Sequence, residues 1–299
     1  MNPAEKLGFF IFTKEMDKIR VAIQGIAGCF HDVAAREYFV GKEIEPVPCT
    51  TFEEMFEKLD NDASLIGIVA AENTIAGSLL QNHELIRRSS TQIVGEAKRR
   101  ISHVLCAVEG QTIADLDSAM SHPMALRQCD VFLRQHPNLN KVEHFDTAGS
   151  AREIAEKRLM GKAAICSELA ADLYGLNILE RGIETNKRNF TRFVVVADPL
   201  LASELGPSEA EINKSSIVFT LPHTQGALSK VLTILSFYDM NLSKIQSVPI
   251  IGREWEYRFY VNLTFDSFVR YRKSLDAVMP LLKDLKILGE YVSCDDERK

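Results

Sequence analysis

Residues 20–39 read RVAIQGIAGCFHDVAAREYF: an apolar run, two glycines, then a stretch of mixed polarity. A short β-branched run bounded by glycine reads as a strand, and apolar residues recurring at three- and four-residue spacing read as a helix. The unit recurs, since EPVPC precedes TFEEMFEKL and LIGIVAA precedes GSLLQNHELIRR. Strands alternating with helices predict an α/β fold with a largely parallel sheet. Between Gln92 and Val108 two strand-like runs follow one another with no helix, after which PMALRQCDVFLRQH, SAREIAEKRL, AAICS and ELAADLY resume the alternation. That interruption predicts two α/β lobes sharing crossing strands, with a cleft between them where a ligand meets the carboxyl ends of strands.

Residues 199–213, PLLASELGPSEAEIN, combine Pro199, Gly206 and Pro207 with several acidic residues and no clear period, which is the pattern of a linker. Beyond it the pattern changes. SSIVFTL reads as a strand, Leu228, Val231, Leu232 and Leu235 keep helical spacing, and Trp255, Tyr257, Phe259, Val261, Leu263 and Phe265 alternate strictly. With NLSKIQSVPI, DSFVRYRKSLDAVMPLLK and LKILGEYV in place, the order is βαββαβ, a ferredoxin-like unit. The expected division is an N-terminal extension over 1–17, a two-lobed domain over 18–198, a linker over 199–213 and the ferredoxin-like domain over 214–295.

A chain of 299 residues, 46% hydrophobic and 25% charged, has ample length for such cores. Its formal net charge of -6, without a basic stripe, excludes a general nucleic-acid binder, so the partner is a small molecule or another protein. The N-terminal MNPAEKLGFFIFTKE has too short an apolar run for a signal-peptide core or a membrane span and reads as a loose extension. The six cysteines form no CxxC pair and no metal-ligand spacing, and read as reduced thiols in a cytoplasm. No cofactor motif is visible.

Five stretches lie where strands meet helices or loops. GIAG (Gly25–Gly28) can receive an anion on backbone N–H groups at a helix start, or be a tight turn. AENTIAG offers Glu72, Asn73 and Thr74, an acid, an amide and a hydroxyl, or simply a cap with a turn. SHPMALRQC sets Ser121 and His122 before a helix with Pro123 in its first turn, and DTAGSAREIAE opens a helix with Asp146 or Thr147 as cap. NFTRFVVV sets Asn189, Thr191 and Arg192 at the mouth of a buried strand. Each has a purely structural reading, and their convergence on one kind of place is what points to a site.

Taken in order, QGIAGCFHDVAA, GIVAAENTIAG, SHPMALRQCDVFL, AAICSELAADLYGL and IETNKRNFTRFVVV resemble the prephenate dehydratase family, and GALSKVL with NLSKIQSVP resembles its ACT regulatory domain. The resemblance covers about residues 18–295. It implies a periplasmic-binding-protein-like catalytic domain of two lobes followed by the ACT domain. It implies a reaction in which prephenate loses carbon dioxide and its ring hydroxyl to give phenylpyruvate, on the path to phenylalanine, without metal or cofactor. Aromatisation drives that reaction, leaving the protein to hold the substrate and assist departure of the hydroxyl.

By that resemblance Thr191 donates a hydrogen bond to the leaving hydroxyl, with Glu72 or His122 as ultimate proton donor. Arg192 and the N–H groups near Gly25, Asn73 and Ser121 hold the dianionic substrate. Thr74 joins the catalytic set, and Gly28, Thr147, Asn189 and Phe193 join Gly25 in the substrate-binding set. Gly226, Ala227, Leu228, Asn241, Leu242, Gln246 and Ser247 form an allosteric site for L-phenylalanine, and a homodimer or homotetramer is expected.

The chain departs from the family pattern at several positions. Cys29 and His31 stand where threonine and serine are common, Thr74 replaces a serine, Met124 a glutamine and Thr185 an aspartate, and QSVP at Gln246–Pro249 stands for ESRP. An arogenate dehydratase is the close alternative, and a non-catalytic amino-acid sensor the alternative from another class.

Overall fold

Val21, Ala22 and Ile23 are fully buried on both faces of β1 (Lys18–Gln24), and the GIAG turn leads into α1 (Phe30–Tyr38). In the computed structural model, which describes residues 18–294, the unit recurs as the sequence predicts. It continues through β2 (Glu43–Cys49), α2 (Phe52–Asn61), β3 (Ile66–Asn73), the two-residue β4 (Gly77–Ser78) and α3 (Leu80–Arg88). β1 pairs parallel with β2 and with β3. The expected extension over 1–17 lies outside the described residues.

β5 (Gln92–Arg100) then passes directly into β6 (Val104–Ala107), the predicted interruption. The second lobe continues with β7 (Ser118–Ser121), α4 (Pro123–Gln128), α5 (Asp130–Gln135), β8 (Asn140–Glu143), α6 (Thr147–Lys157), β9 (Lys162–Cys166), α7 (Glu168–Leu173) and β10 (Asn177–Arg181). These strands form a five-stranded sheet in the order β10-β6-β9-β7-β8. β11 (Phe190–Ala197) returns to the first sheet between β5 and β3, antiparallel to both. The two passages, β5 to β6 and β10 to β11, are the shared crossings.

The expected linker is half helix. Pro199 at the first position and Asp198, whose carboxylate accepts from Leu200 N, start α8 (Pro199–Leu205), and Leu201, Ala202 and Leu205 pack on the core. The C-terminal unit follows as β12 (Lys214–Thr220), α9 (Ala227–Phe237), β13 (Asn241–Pro249), β14 (Tyr257–Thr264), α10 (Phe268–Val278) and β15 (Asp284–Tyr291). Its strand order, β13-β14-β12-β15, is ferredoxin-like. Trp255 lies outside the alternating strand, exposed and at φ 59°.

This unit is not a separate layer. β15 pairs with β5 at Gly289 and Ile93, so its strands extend the first sheet to ten. A Cβ at Gly289 would stand 2.1 Å from the Ile93 carbonyl oxygen, which is why glycine occupies that crossing.

The first sheet is covered differently on its two faces. Ile68, Phe193 and Val195 pack with Ala34 and Ala35 of α1 and with Cys106 and Cys166 of the second sheet. Val69, Val194 and Val196 pack with Met55, Phe56 and Ile86, and with Val218, Tyr260 and Tyr291 of the C-terminal unit.

Candidate active site

Alternation along β11 sends Thr191 to the face turned toward the second lobe and Arg192 to the face turned toward the C-terminal unit. On β3 alternation alone would send Asn73 the wrong way, with Val69 and Ala71. The register jumps: Phe193 pairs with Ala70, Arg192 with Glu72 and Thr191 with Asn73, leaving Ala71 as a bulge. One extra residue reverses the facing of everything beyond it, so Asn73 joins Thr191 and Glu72 joins Arg192.

The Asn73 amide nitrogen donates to Thr191 Oγ1 at 2.9 Å and to Asn189 Oδ1 at 2.8 Å. Its oxygen accepts from the N–H groups of Ile75 and Ala76, both at 2.9 Å, which fixes the orientation of the amide. Thr191 therefore accepts from Asn73, and among the described residues nothing accepts the Thr191 proton. Asn189 is fully buried with its Nδ2 unpartnered, and it lines a cavity of about 530 Å³. Ile75 and Ala76 wall this cavity from the first lobe, and Met124, Arg127 and Gln128 from the second.

Arg192 is not in that cleft. Its Nε donates to Glu96 at 2.5 Å and one terminal nitrogen to Tyr291 OH at 2.7 Å, with Glu72 at 3.4 Å. Glu72 is held at 2.7 Å by Lys244. Burial pushes the Glu72 carboxyl up, but Arg192 and Lys244 outweigh it and hold the group below its usual range. A carboxylate so held stays ionised, so Glu72 is no proton donor, and Arg192 is no receptor for substrate carboxylates.

The GIAG turn is no anion cradle either, because three of its four amides are already taken by the protein. Ile26 N donates to Asp146, Gly28 N to Asp32, and Gly25 N to the Cys49 carbonyl. The turn serves as a lobe contact. Ser167 and Tyr174 donate to the Gly28 and Ala27 carbonyls, and a Cβ on Gly28 would stand 2.8 Å from Ala170 Cα.

These motifs lie within a match to the prephenate dehydratase family that spans residues 21–199. The chain belongs to the prephenate dehydratase family. Arogenate dehydratase/prephenate dehydratase 2 of the Arabidopsis thaliana chloroplast is 33% identical over 287 residues, covering 92% of this chain and 73% of that one. The structure of a prephenate dehydratase from Arthrobacter aurescens in complex with L-Phe matches with a TM-score of 0.79 at 26% identity, over 93% of this chain and 91% of that one. GqqA, described as a novel type of quorum quenching acylase, also matches at 0.79, with 28% identity over 92% of this chain and 98% of that one. As a prephenate dehydratase this chain is a lyase that takes prephenate to phenylpyruvate.

Other residues singled out in the sequence are dispersed rather than gathered at one point. Thr74 donates to the Arg188 carbonyl and accepts from Phe190 N, tying down the mouth of β11. Ser121 is fully buried and donates to the Ile165 carbonyl. His122 caps α4, its Nδ1 accepting from Met124 N, and is exposed. Thr147 opens α6 beside its cap Asp146, and Phe193 lies in the core, edge-on to His31.

In the C-terminal unit Gly226, at φ 73°, precedes Ala227 and Leu228 at the start of α9. Asn241, Leu242, Gln246 and Ser247 lie on the edge strand β13. Sequence reasoning did not single out Glu96, Lys214, Lys244, His83 or Tyr291. Their only sequence signal is a charge or hydroxyl inside a strand or helix that otherwise reads as core.

Proposed function

We propose that Asn73, Thr191 and Asn189 form the dehydration site. The observation that carries this is the one-way hydrogen bond from Asn73 to Thr191, which leaves the threonine proton to be donated. In prephenate the ring C–O bond breaks as the ring carboxylate leaves as carbon dioxide. The electrons of that C–C bond complete the aromatic ring, and the departing hydroxyl takes a proton to become water. Thr191 stabilises charge on the departing oxygen, and with Glu72 held ionised His122 is the remaining choice for the proton. Asn189 Nδ2 and Arg127, whose guanidinium among the described residues reaches only the Met124 sulfur at 3.8 Å, supply the donors for the substrate's carboxylates that Arg192 cannot.

The same reading takes residues 18–198 as a periplasmic-binding-protein-like catalytic domain and residues from 214 as an ACT domain. L-Phenylalanine binds at Gly226–Leu228, Asn241, Leu242, Gln246 and Ser247, and edge strand β13 supports assembly into a homodimer or homotetramer in the cytoplasm. An acylase would need a nucleophile activated by a base. Ser121 donates its proton to a carbonyl, and burial, aided by the Asp146 carboxylate, raises the Cys29 thiol.

Purified protein incubated with prephenate should release phenylpyruvate. Arogenate, giving phenylalanine, is the parallel arm that separates the two dehydratase readings. Turnover of neither would leave the amino-acid sensor standing.

A further inference from the structure

Lys244 sits on the edge strand of the C-terminal unit, yet its ammonium lies 2.7 Å from Glu72, next in sequence to Asn73. A second bulge explains this. Leu242 pairs with Leu263 and packs in the C-terminal core, whereas Lys244 pairs with Asn262, so Ser243 is the extra residue. Beyond it Lys244 and Val248 face the first lobe, where Val248 packs on that lobe's core. The bulges at Ala71 and Ser243, on strands that do not pair with each other, thus aim a carboxylate and an ammonium at one another. Without either bulge the two side chains would point apart.

The pair belongs to a larger buried polar group. Lys244 also donates to His83 Nε2 at 2.6 Å. Glu96 receives Arg192 on one oxygen and Lys214 on the other, at 2.8 Å, with Cys294 N at 3.0 Å. Tyr291 OH links Arg192 to Ser216, which in turn donates to Asn262. Behind each of Asn73 and Thr191 therefore stands a charged neighbour, Glu72 or Arg192, gripped by side chains of the C-terminal unit.

We infer that Lys244 is a positioning residue for the dehydration site: by holding Glu72 it keeps β3 in the bulged register that sets Asn73 against Thr191. This rests on the dehydratase reading. A shift of β13 that withdrew Lys244 would leave Glu72 only its 3.4 Å contact to Arg192 and loosen Asn73, so the C-terminal unit reaches the reacting atoms without touching them. The ground-state cleft would persist, and the loss would fall on the transition state.

Replacing Lys244 by methionine removes a buried charge while keeping its bulk, and is expected to lower kcat about tenfold with KM within about twofold. Lys244→Arg should restore most of the activity. Combining Lys244→Met with Glu72→Gln should cost no more than the worse single change, since both break one contact. In nitrogen-15-labelled protein the Asn73 side-chain amide should exchange with solvent faster in Lys244→Met than in the parent.

A parent enzyme that leaves prephenate untouched defeats the dehydratase reading, while the amide exchange still decides the positioning role. Unchanged kcat with unchanged Asn73 exchange, or losses that multiply in the double variant, overturns the positioning role alone.

Discussion

The two faces of β11 and β3 differ in what they leave unused. On the face toward the second lobe Thr191 and Asn73 are neutral, and the Thr191 proton and Asn189 Nδ2 have no partner among the described residues. On the other face Arg192, Glu96, Glu72, Lys214 and Lys244 are all paired within the protein. A group already saturated by its own protein has nothing left to offer a substrate, whereas an oriented, unfilled donor does. Residues adjacent in sequence thus divide between a face with unfilled donors and a saturated scaffold.

The largest effect should come from the scaffold. Arg192→Leu leaves Glu96 with Lys214 as its remaining cation and Tyr291 without its donor, and breaking a buried pair costs at most about 3–5 kcal/mol. Denaturant unfolding should show that loss, with KM for prephenate little changed in the protein that still folds. A stable variant with a raised KM would return Arg192 to the cleft. Thr191→Val should do the opposite, lowering kcat on the order of 100-fold while stability stays within about 1 kcal/mol. Parent-like turnover by the valine variant would remove Thr191 from the mechanism.

The sequence carried the β1-turn-α1 unit, the missing helix after β5 and the βαββαβ order, because each rests on local periodicity. It carried Thr191 and Asn73 as members of motifs, but not their shared face, since the Ala71 bulge exists only against the register of a strand more than a hundred residues away. Arg192 reads as a cleft residue for the same reason. Its partners Glu96 and Tyr291 are far off in sequence, and a cation beside a hydroxyl carries no sign of which way it points. The GIAG turn looks like an anion site because Asp146 fills it only after the lobes meet, while Asp32 fills it from the first turn of the helix that follows. Helix α8 escaped notice because its apolar face is a single turn and a half long.

Acid should weaken the charged face next. Burial holds the His83 imidazole down at about 3, and the Lys244 ammonium and Arg192 push the same way against Glu72. A base whose folded value lies below its unfolded one near 6.5 contributes stability that is complete above that value and is lost as pH falls toward the folded one. Between pH 6.5 and 5 the loss from this group is about 2 kcal/mol. Glu96, held down to about 2, adds its own loss only below about pH 4.5. Unfolding midpoints at pH 7.5 and 5 should therefore differ, and differ less in His83→Gln, which still accepts from Lys244. Equal pH sensitivity in both proteins would show that His83 does not titrate against folding.

The smallest effect concerns how the scaffold face is addressed from outside. Gln246 is half-buried on β13, two residues beyond Lys244 and on the same face, and its amide donates to the Ser247 carbonyl at 3.1 Å. The side chain thus lies along the strand and carries no charge. A carboxylate there would attract the ammonium of phenylalanine, and a half-exposed pair of this kind contributes about 1 kcal/mol at most. Gln246→Glu should therefore lower the phenylalanine concentration for half-inhibition by at most about fivefold, leaving the uninhibited rate unchanged. The inhibition itself acts only through the difference in affinity between two arrangements of the chain. Because Lys244 shares the strand, phenylalanine should inhibit Lys244→Met less completely than the parent, as the grip on Glu72 is already gone. Initial rates across a phenylalanine titration, with calorimetry for binding, separate the outcomes. Binding without inhibition in the parent would break the link between β13 and the cleft, and no binding at millimolar phenylalanine would mean that QSVP has abolished the site.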